Sequence, residues 1–542
     1  MTLKRYLILP VEGLRLSDSL SPASHDARIL LNTLQLNNRA AVKSLGQKLS
    51  DSVLRAMPMK NRPQSHNASR VTAKKSPAKR ASARSSSIEV IGSLGEDGVK
   101  LVTASEEVLA ALRQQNPGLR VIEEKFCHLA LAPRVKIPTR RKVATQSAAA
   151  NVVGTPLVVE VVRGDSGLPV RNAEVIAYRT NHDAVRKKTN VSGKATFHFS
   201  VSVSKLIKLY IYHDEPGVWG YFKGNVSVLN GLIRVCLSAI DLRGIDSLRH
   251  FHGAGSSAQG QGVRVGVIDS GVEIDHPDLV DAIEGGANCV PDSTRDAADF
   301  GPAGSHGTHV AGTIAANGSS PTGVRGMAPR TKLMIYRVFE DGNPGSGSSF
   351  AVIDAIERAI ADKCDIINLS LGFDQGVTDD AISDALSKAR NHGILAIAAA
   401  GNDGRLPVGF PGLDDNCVAV SAIGHKGTFP ATSTESEHVA EPFGTDSHNF
   451  IASFSNIGAD LDAAGAGVGV VSTVPGGYGA MSGTSMASPA VAGVAARLLS
   501  STPEVKNMER NSARTDAMRK LLMDAAKTLG FGILFEGAGL PK

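Results

Sequence analysis

From Gly262 onward the chain alternates two kinds of apolar stretch. Residues 263–268, 333–338, 365–371, 394–400 and 418–423 are short, nearly continuous apolar runs. Residues 350–361 and 378–391 place their apolar side chains at helical spacing instead. Continuous runs belong to strands buried on both faces, the condition of a parallel sheet covered by helices. Strands alternating with helices predict an α/β fold built on a doubly wound parallel sheet. Ligands gather at the carboxyl ends of such strands, where Asp269, Gly372 and Asn402 fall.

Four short segments carry polar groups to those positions. Arg264 to Ile268 leads into Asp269-Ser270-Gly271, which sets a carboxylate at a tight turn. In Ser305-His306-Gly307-Thr308-His309-Val310-Ala311-Gly312 a histidine opens a helix of small residues. Residues 394–400 run into Gly401-Asn402-Asp403-Gly404. Gly483-Thr484-Ser485-Met486-Ala487-Ser488-Pro489 sets a serine at the mouth of an alanine-rich segment, 490–499, that predicts a buried helix. A hydroxyl there lies beside unpaired backbone N–H groups that can stabilise an oxyanion. Singly, each has an ordinary structural account: a helix cap, a capped turn, an Asx-turn.

Taken together, in the order Asp, His, Ser, the segments DSG, HGTHVAG and GTSMASP resemble the subtilisin-like serine proteases from about residue 262 to the C-terminus. The resemblance implies that Ser485 attacks a peptide carbonyl, His306 relays the proton, Asp269 orients the imidazole and Asn402 donates to the oxyanion. It also implies a substrate cleft. Ser370, Leu371 and Gly372 form one wall of the pocket for the residue before the scissile bond. Ala399, Ala400 and Gly401 form the other, with Gly409 leaving the base open. Gly345, Ser346 and Gly347 match the edge that pairs with the substrate backbone by strand addition. These walls predict a preference for a large apolar residue, with Asp403 as the feature that would favour Lys or Arg. Asp278 matches a calcium ligand of secreted members, but the partner loop, 317–322, differs in length and composition. No metal and no cofactor are therefore expected.

The 542 residues exceed one core, so several domains are expected. Residues 1–131 read as an α+β unit with ferredoxin-like order: strands at 5–9, 88–94, 99–102 and 119–131, helices at 26–55 and 108–115. This resembles the inhibitory pro-domain of the same family, interrupted by a basic, Ser/Ala-rich insertion at 57–87 that predicts disorder. Residues 132–155 read as a linker. Residues 156–240 hold short alternating runs, at 157–162, 174–178, 195–203, 206–212 and 232–237, that predict a small antiparallel β-sandwich. It resembles prealbumin-like or immunoglobulin-like modules. The catalytic domain then occupies 241–542. The resemblance implies that the N-terminal unit is an intramolecular inhibitor, cut by its own protease after Leu131.

Net charge is +6, much of it in the N-terminal insertion, where no aromatic residues accompany it, so nucleic acid is not expected as a partner. The five cysteines are widely spaced and read as buried free thiols. The start of the chain does not read as a signal peptide and no stretch is long enough to span a membrane, which predicts a soluble cytoplasmic enzyme acting on protein or peptide substrates. Two other readings fit the motifs: an acyl transferase or macrocyclase on the same scaffold, or a partner-binding protein with an idle triad.

Overall fold

The computed structural model describes residues 3–11, 15–16, 88–95, 97–135, 156–181, 183–199, 203–253, 256, 258–343 and 345–542. The helix predicted over 26–55, the insertion at 57–87 and most of the 132–155 linker lie outside the described residues. The chain divides between Glu124 and Lys125 into two compact units.

In the first unit, four antiparallel strands lie in the order Glu89–Ser93, Lys100–Ala104, Lys4–Pro10, Leu119–Glu123. Helix Glu106–Gln115 buries Val108, Leu109 and Leu112, one helical face, in a core shared with Tyr6, Ile8, Val102 and Leu119. Two glutamates in its first turn face the positive end of the dipole. The strand predicted over 119–131 is in fact two. It stops at Glu123, and Phe126–Leu129 belongs to the second unit and to a different sheet.

The second unit carries the α/β domain. Its central sheet runs in the order Ile283–Asn288, Lys332–Arg337, Arg264–Asp269, Ile366–Leu369, Leu395–Ala399, Cys417–His425. All these pairings are parallel. Antiparallel Asn449–Ile451 and parallel Ala463–Ala466 both join Cys417–His425. Ile366–Leu369 and Leu395–Ala399 are buried at every residue, as the continuous apolar runs require. Helices His306–Ala315 and Thr484–Ser500 lie in the same core, and both are rich in Ala and Gly, which lets backbones approach closely.

The same unit contains residues 157–237 as two facing sheets. One has the order Tyr221–Ser227, Lys205–Tyr212, Glu174–Thr180, Asp183–Lys188; the other, Leu232–Leu237, Leu157–Arg163, Lys194–Phe197. Inward residues such as Val159, Val161, Val175, Phe197, Leu209 and Val235 fill the space between them. The module is not wholly antiparallel, because Leu232–Leu237 runs parallel to Leu157–Arg163. It shares a core with the α/β domain through Trp219, which clusters with Phe429 and Val470. Gly217 N–H donates to the Tyr478 carbonyl at 2.7 Å and the Tyr210 hydroxyl to Glu437 at 2.6 Å.

All five cysteines are free; Cys127, Cys289, Cys364 and Cys417 are buried, but Cys236 is exposed, on the outward face of an alternating strand. Among the described residues no helix is long and apolar enough to cross a membrane.

Candidate active site

Asp269 ends strand Arg264–Asp269 and His306 begins helix His306–Ala315. Their meeting depends on Gly307: a Cβ there would lie 2.2 Å from the Gly271 carbonyl oxygen, so only glycine lets the helix start press against the strand end. The His306 Nδ1–H donates to the Asp269 carboxylate, at 2.8 Å from Oδ1 and 3.0 Å from Oδ2. Oδ1 also accepts the Ser270 N–H at 2.6 Å, and the Ser270 hydroxyl accepts the Gly307 N–H at 3.0 Å. With Nδ1 engaged, Nε2 is the basic nitrogen of the neutral ring. It is buried and has no hydrogen-bond partner among the described residues. The second histidine of the motif, His309, is different. Burial pushes its pKa down to about 3, and its Nε2–H donates to the Val470 carbonyl at 2.9 Å.

Ser485 lies in the first turn of helix Thr484–Ser500, so its backbone N–H is one of those left without an intrahelical acceptor. A buried polar network fixes this turn to the sheet. The Ser370 hydroxyl donates to the Ser485 carbonyl at 2.9 Å, Asn368 Nδ2 donates to the Ser370 hydroxyl at 2.8 Å, and the Ser488 hydroxyl donates to Asn368 Oδ1 at 2.5 Å. Asn402 follows the Leu395–Ala399 strand. Its Oδ1 accepts from the Thr484 N–H at 2.9 Å and the Thr484 hydroxyl at 3.1 Å. That orientation leaves Nδ2 buried and without a partner among the described residues, a donor held ready. Thr484 is thus an orienting residue that the motif contains but the sequence reading does not single out; its signal is a hydroxyl next to the serine.

Across these groups runs a segment of the chain itself. Phe126–Leu129 forms the middle strand of a three-stranded sheet. On one side Cys127 pairs with Gly347 and Phe126 with Ser348; on the other Leu129 pairs with Leu371 and His128 with Gly372. Gly347 admits the buried Cys127, since a Cβ would stand 2.5 Å from the thiol sulfur. Burial holds that thiol's pKa well above the ordinary range. The Ala130 N–H donates to the Ser370 carbonyl at 3.3 Å, and the Ala130 carbonyl accepts from the Ser485 N–H at 3.2 Å. Gly483 permits this approach, because a Cβ would be 2.6 Å from that carbonyl oxygen. Beyond it the Ala132 N–H donates to the Ser482 carbonyl at 2.9 Å.

The register differs by one residue from the one the sequence-based expectation implies. The carbonyl at the Ser485 N–H belongs to Ala130, not to Leu131, which is 37% exposed. Strand pairing sets this register, whereas the likeness of residues 122–131 to the end of family pro-domains, together with the size of Leu131, pointed to leucine. The pairing edge is likewise Gly347–Ser348. Gly345 and Ser346 precede it in a turn, where the Ser346 hydroxyl donates to the Asn343 carbonyl at 2.7 Å. Of the expected wall residues, Ser370 and Ala399 follow the paired residues Leu369 and Ala398, and the Gly409 N–H donates to the Ala400 carbonyl at 2.9 Å. Gly401 and Gly409 approach through Asn456 and Ala400, and a Cβ on Gly409 would meet the Ala400 carbonyl oxygen only at 3.7 Å. The Asp403 carboxylate accepts from Asn456 Nδ2 at 2.9 Å. Asp278 meets the segment after helix His306–Ala315: its Oδ2 accepts the Val324 N–H at 2.8 Å and its carbonyl accepts the Asn317 N–H at 2.9 Å. Among the described residues no three His, Cys, Asp or Glu side chains lie together as a metal site.

Residues 260–540 match the family model described as "Subtilase family". Subtilisin NAT of Bacillus subtilis subsp. natto is 42% identical over 255 residues, 46% of this chain and 58% of that protein. Subtilisin of Bacillus pumilus is 42% identical over 255 residues, 81% of its length. Subtilisin DY of Bacillus licheniformis is 37% identical over 287 residues, 52% of this chain and 89% of its own. The chain therefore spans between 58% and 89% of the length of these three relatives.

Proposed function

Because the chain belongs to the subtilase family, we propose that it is a serine endopeptidase that first cuts itself between Ala130 and Leu131. Ser485 Oγ attacks the scissile carbonyl carbon. His306 Nε2 takes the hydroxyl proton and returns it to the leaving amine. Asp269 holds the ring in the tautomer with Nδ1–H and balances the imidazolium charge. The Ser485 N–H and Asn402 Nδ2 receive the oxyanion, with Nδ2 reaching it only as the carbonyl carbon becomes tetrahedral. No cofactor enters these steps.

One observation carries this reading: the Ala130 carbonyl accepts from the Ser485 N–H at 3.2 Å while strands on both sides hold the preceding four residues. That is how a substrate backbone would be presented. It makes residues before Leu131 an intramolecular occupant of the cleft and therefore an inhibitor until released. Ala130 stands before the bond in the chain itself; in other substrates the small-residue walls take an uncharged side chain, with large apolar residues preferred over Lys or Arg, because Asp403 is already engaged by Asn456. Mass spectrometry tests the proposal. The wild type yields a fragment beginning at Leu131 and Ser485→Ala remains whole. An uncut, active wild-type chain, or the same cut in Ser485→Ala, would refute it.

A further inference from the structure

The residues after the scissile bond do not leave the surface at once. From Ala132, anchored on Ser482, the chain passes Pro133 and brings Arg134 onto the β-module. Arg134 Nη1 donates to Glu174 Oε2 at 3.0 Å, and Nη2 lies 3.5 Å from Asp214 Oδ1. Its guanidinium stands over the Tyr212 ring, 5.2 Å from the centroid. The next residue, Val135, donates its N–H to the Tyr212 hydroxyl at 3.3 Å. Glu174 and Tyr212 are directly opposite one another on paired strands, so the acid and the ring form one fixed surface. Glu174 is largely buried, and its other oxygen is held by Arg186 Nε at 2.5 Å. A carboxylate, a second acid and an aromatic face converging on one guanidinium form a site with the chemistry of cation recognition.

Building on the endopeptidase reading, we propose that this corner of the β-module is a substrate subsite for a basic residue, arginine above all, four positions after the scissile bond. Arg134 occupies it in the uncut chain. The module is thereby a specificity element of the protease, and the substrates it selects are extended polypeptides carrying a cation downstream of the cut. Arginine is favoured over lysine because a planar guanidinium can both stack on Tyr212 and hydrogen-bond with Glu174, while an ammonium does one at a time. After self-cleavage the segment beginning at Leu131 stays tethered through residues 136–155 and competes for the same corner.

The test uses the self-processed enzyme and quenched fluorescent peptides that copy residues 126–137, differing only in Arg, Ala or Glu at the position of Arg134. We expect kcat/KM about tenfold higher for Arg than for Ala, the ratio of one partly desolvated charge-assisted contact, and lower still for Glu. In Glu174→Gln the Arg-to-Ala ratio falls towards one. Asp214 is exposed and tolerates change, so Asp214→Asn serves as the variant whose folding is not at issue, with a two- to threefold drop in the ratio expected (roughly, for an exposed charge). In Arg134→Ala, where the tethered competitor is gone, the Arg peptide is cleaved faster than by the wild type. Equal rates for the three peptides, or an Arg preference untouched by both acid variants, would overturn the subsite. Cleavage of none of them would instead overturn the endopeptidase reading on which it rests.

Discussion

The Ser485 hydroxyl donates to the carbonyl of Ser370 at 3.0 Å, and His306 Nε2 has no partner among the described residues. That same carbonyl accepts the Ala130 N–H. The serine hydroxyl is therefore bonded to the Ser370 carbonyl and not to His306, and in the proposed mechanism it must exchange that carbonyl for Nε2 before attack. The reacting groups are held separately, each by its own neighbours, and so removing them should have unequal effects. Ser485→Ala and His306→Ala should reduce the rate of self-cleavage by about 10⁴–10⁶, since the serine and its base act as a unit. Asn402→Ala removes one of the two proposed oxyanion donors and should cost about 10²–10³. Quantified gel time courses of the Leu131 fragment measure all three. An Asn402→Ala variant as slow as Ser485→Ala would mean that Asn402 is needed for more than its donor.

Gly347 should control how well the chain seats in its own cleft. Valine there would drive a Cβ against the Cys127 sulfur and the Phe339 ring, at 2.5 and 2.7 Å. Neither neighbour has room to move, because Cys127 and Phe339 are both buried. In the Ser485→Ala background, where the chain stays whole, Gly347→Val should expose the bond after Lys125 to added trypsin. Ser485→Ala alone should stay protected there. Equal digestion of the two proteins would show that the pairing at Gly347 contributes little.

The sheet could be read from the sequence because its strands are apolar at nearly every residue, as at Ile366–Leu369 and Leu395–Ala399. Edge strands lacked that mark. Asp183–Lys188 and Tyr221–Ser227 are half exposed and polar, and Ile283–Asn288 contains two glycines. The break between Leu119–Glu123 and Phe126–Leu129 was hidden for another reason. Apolar residues continue through Val121, Ile122, Cys127 and Leu129, and what separates the two strands is a partner at Gly347 and Leu371, more than 200 residues away. The Asp269–His306 contact was legible through the family resemblance, because Asp269 ends and His306 opens a short, strongly patterned segment. The orienting role of Thr484 and the arginine corner were not, since both depend on a second element arriving from elsewhere in the chain.

Acid should weaken the fold through histidines kept neutral by burial. His252 donates from Nδ1 to the Pro541 carbonyl at 3.2 Å and accepts the Ala466 N–H on Nε2 at 3.4 Å, so both nitrogens are used in the neutral form. Burial, with Arg497 and Lys542 nearby, pushes its pKa down to about 3, and burial pushes His438 down to about 4. Released by unfolding, each returns to about 6.5. The unfolded chain then binds more protons at lower pH. The stability these histidines permit is whole above pH ~6.5 and is lost as pH falls towards 4, by about 1.4 kcal/mol per pH unit per histidine. Urea midpoints of the Ser485→Ala protein measured between pH 7 and 4.5 check this, and His252→Gln should flatten the slope by about one proton. An unchanged slope would mean that His252 is already charged in the folded protein.

The β-module should unfold together with the α/β domain and not before it. Trp219 is 6% exposed and belongs to the same core cluster as Phe429, Phe450 and Val470 of the α/β domain. Backbone bonds reinforce the junction, from Gly217 N–H to Tyr478 and from Phe222 N–H to Thr432, at 2.7 and 2.8 Å. Arg134 adds a further tie between the cleft segment and Glu174. A junction built from a buried tryptophan and satisfied backbone groups resembles an interior more than a mobile domain contact. Trp219→Ala should therefore cost about 3–5 kcal/mol, the range for truncating a large buried aromatic. Calorimetry of the Ser485→Ala protein should give one transition for the second unit, displaced to lower temperature in Trp219→Ala. Two separate transitions in the unsubstituted protein would mean that the module is only tethered, and its arginine corner would then not be held in register with Ser485.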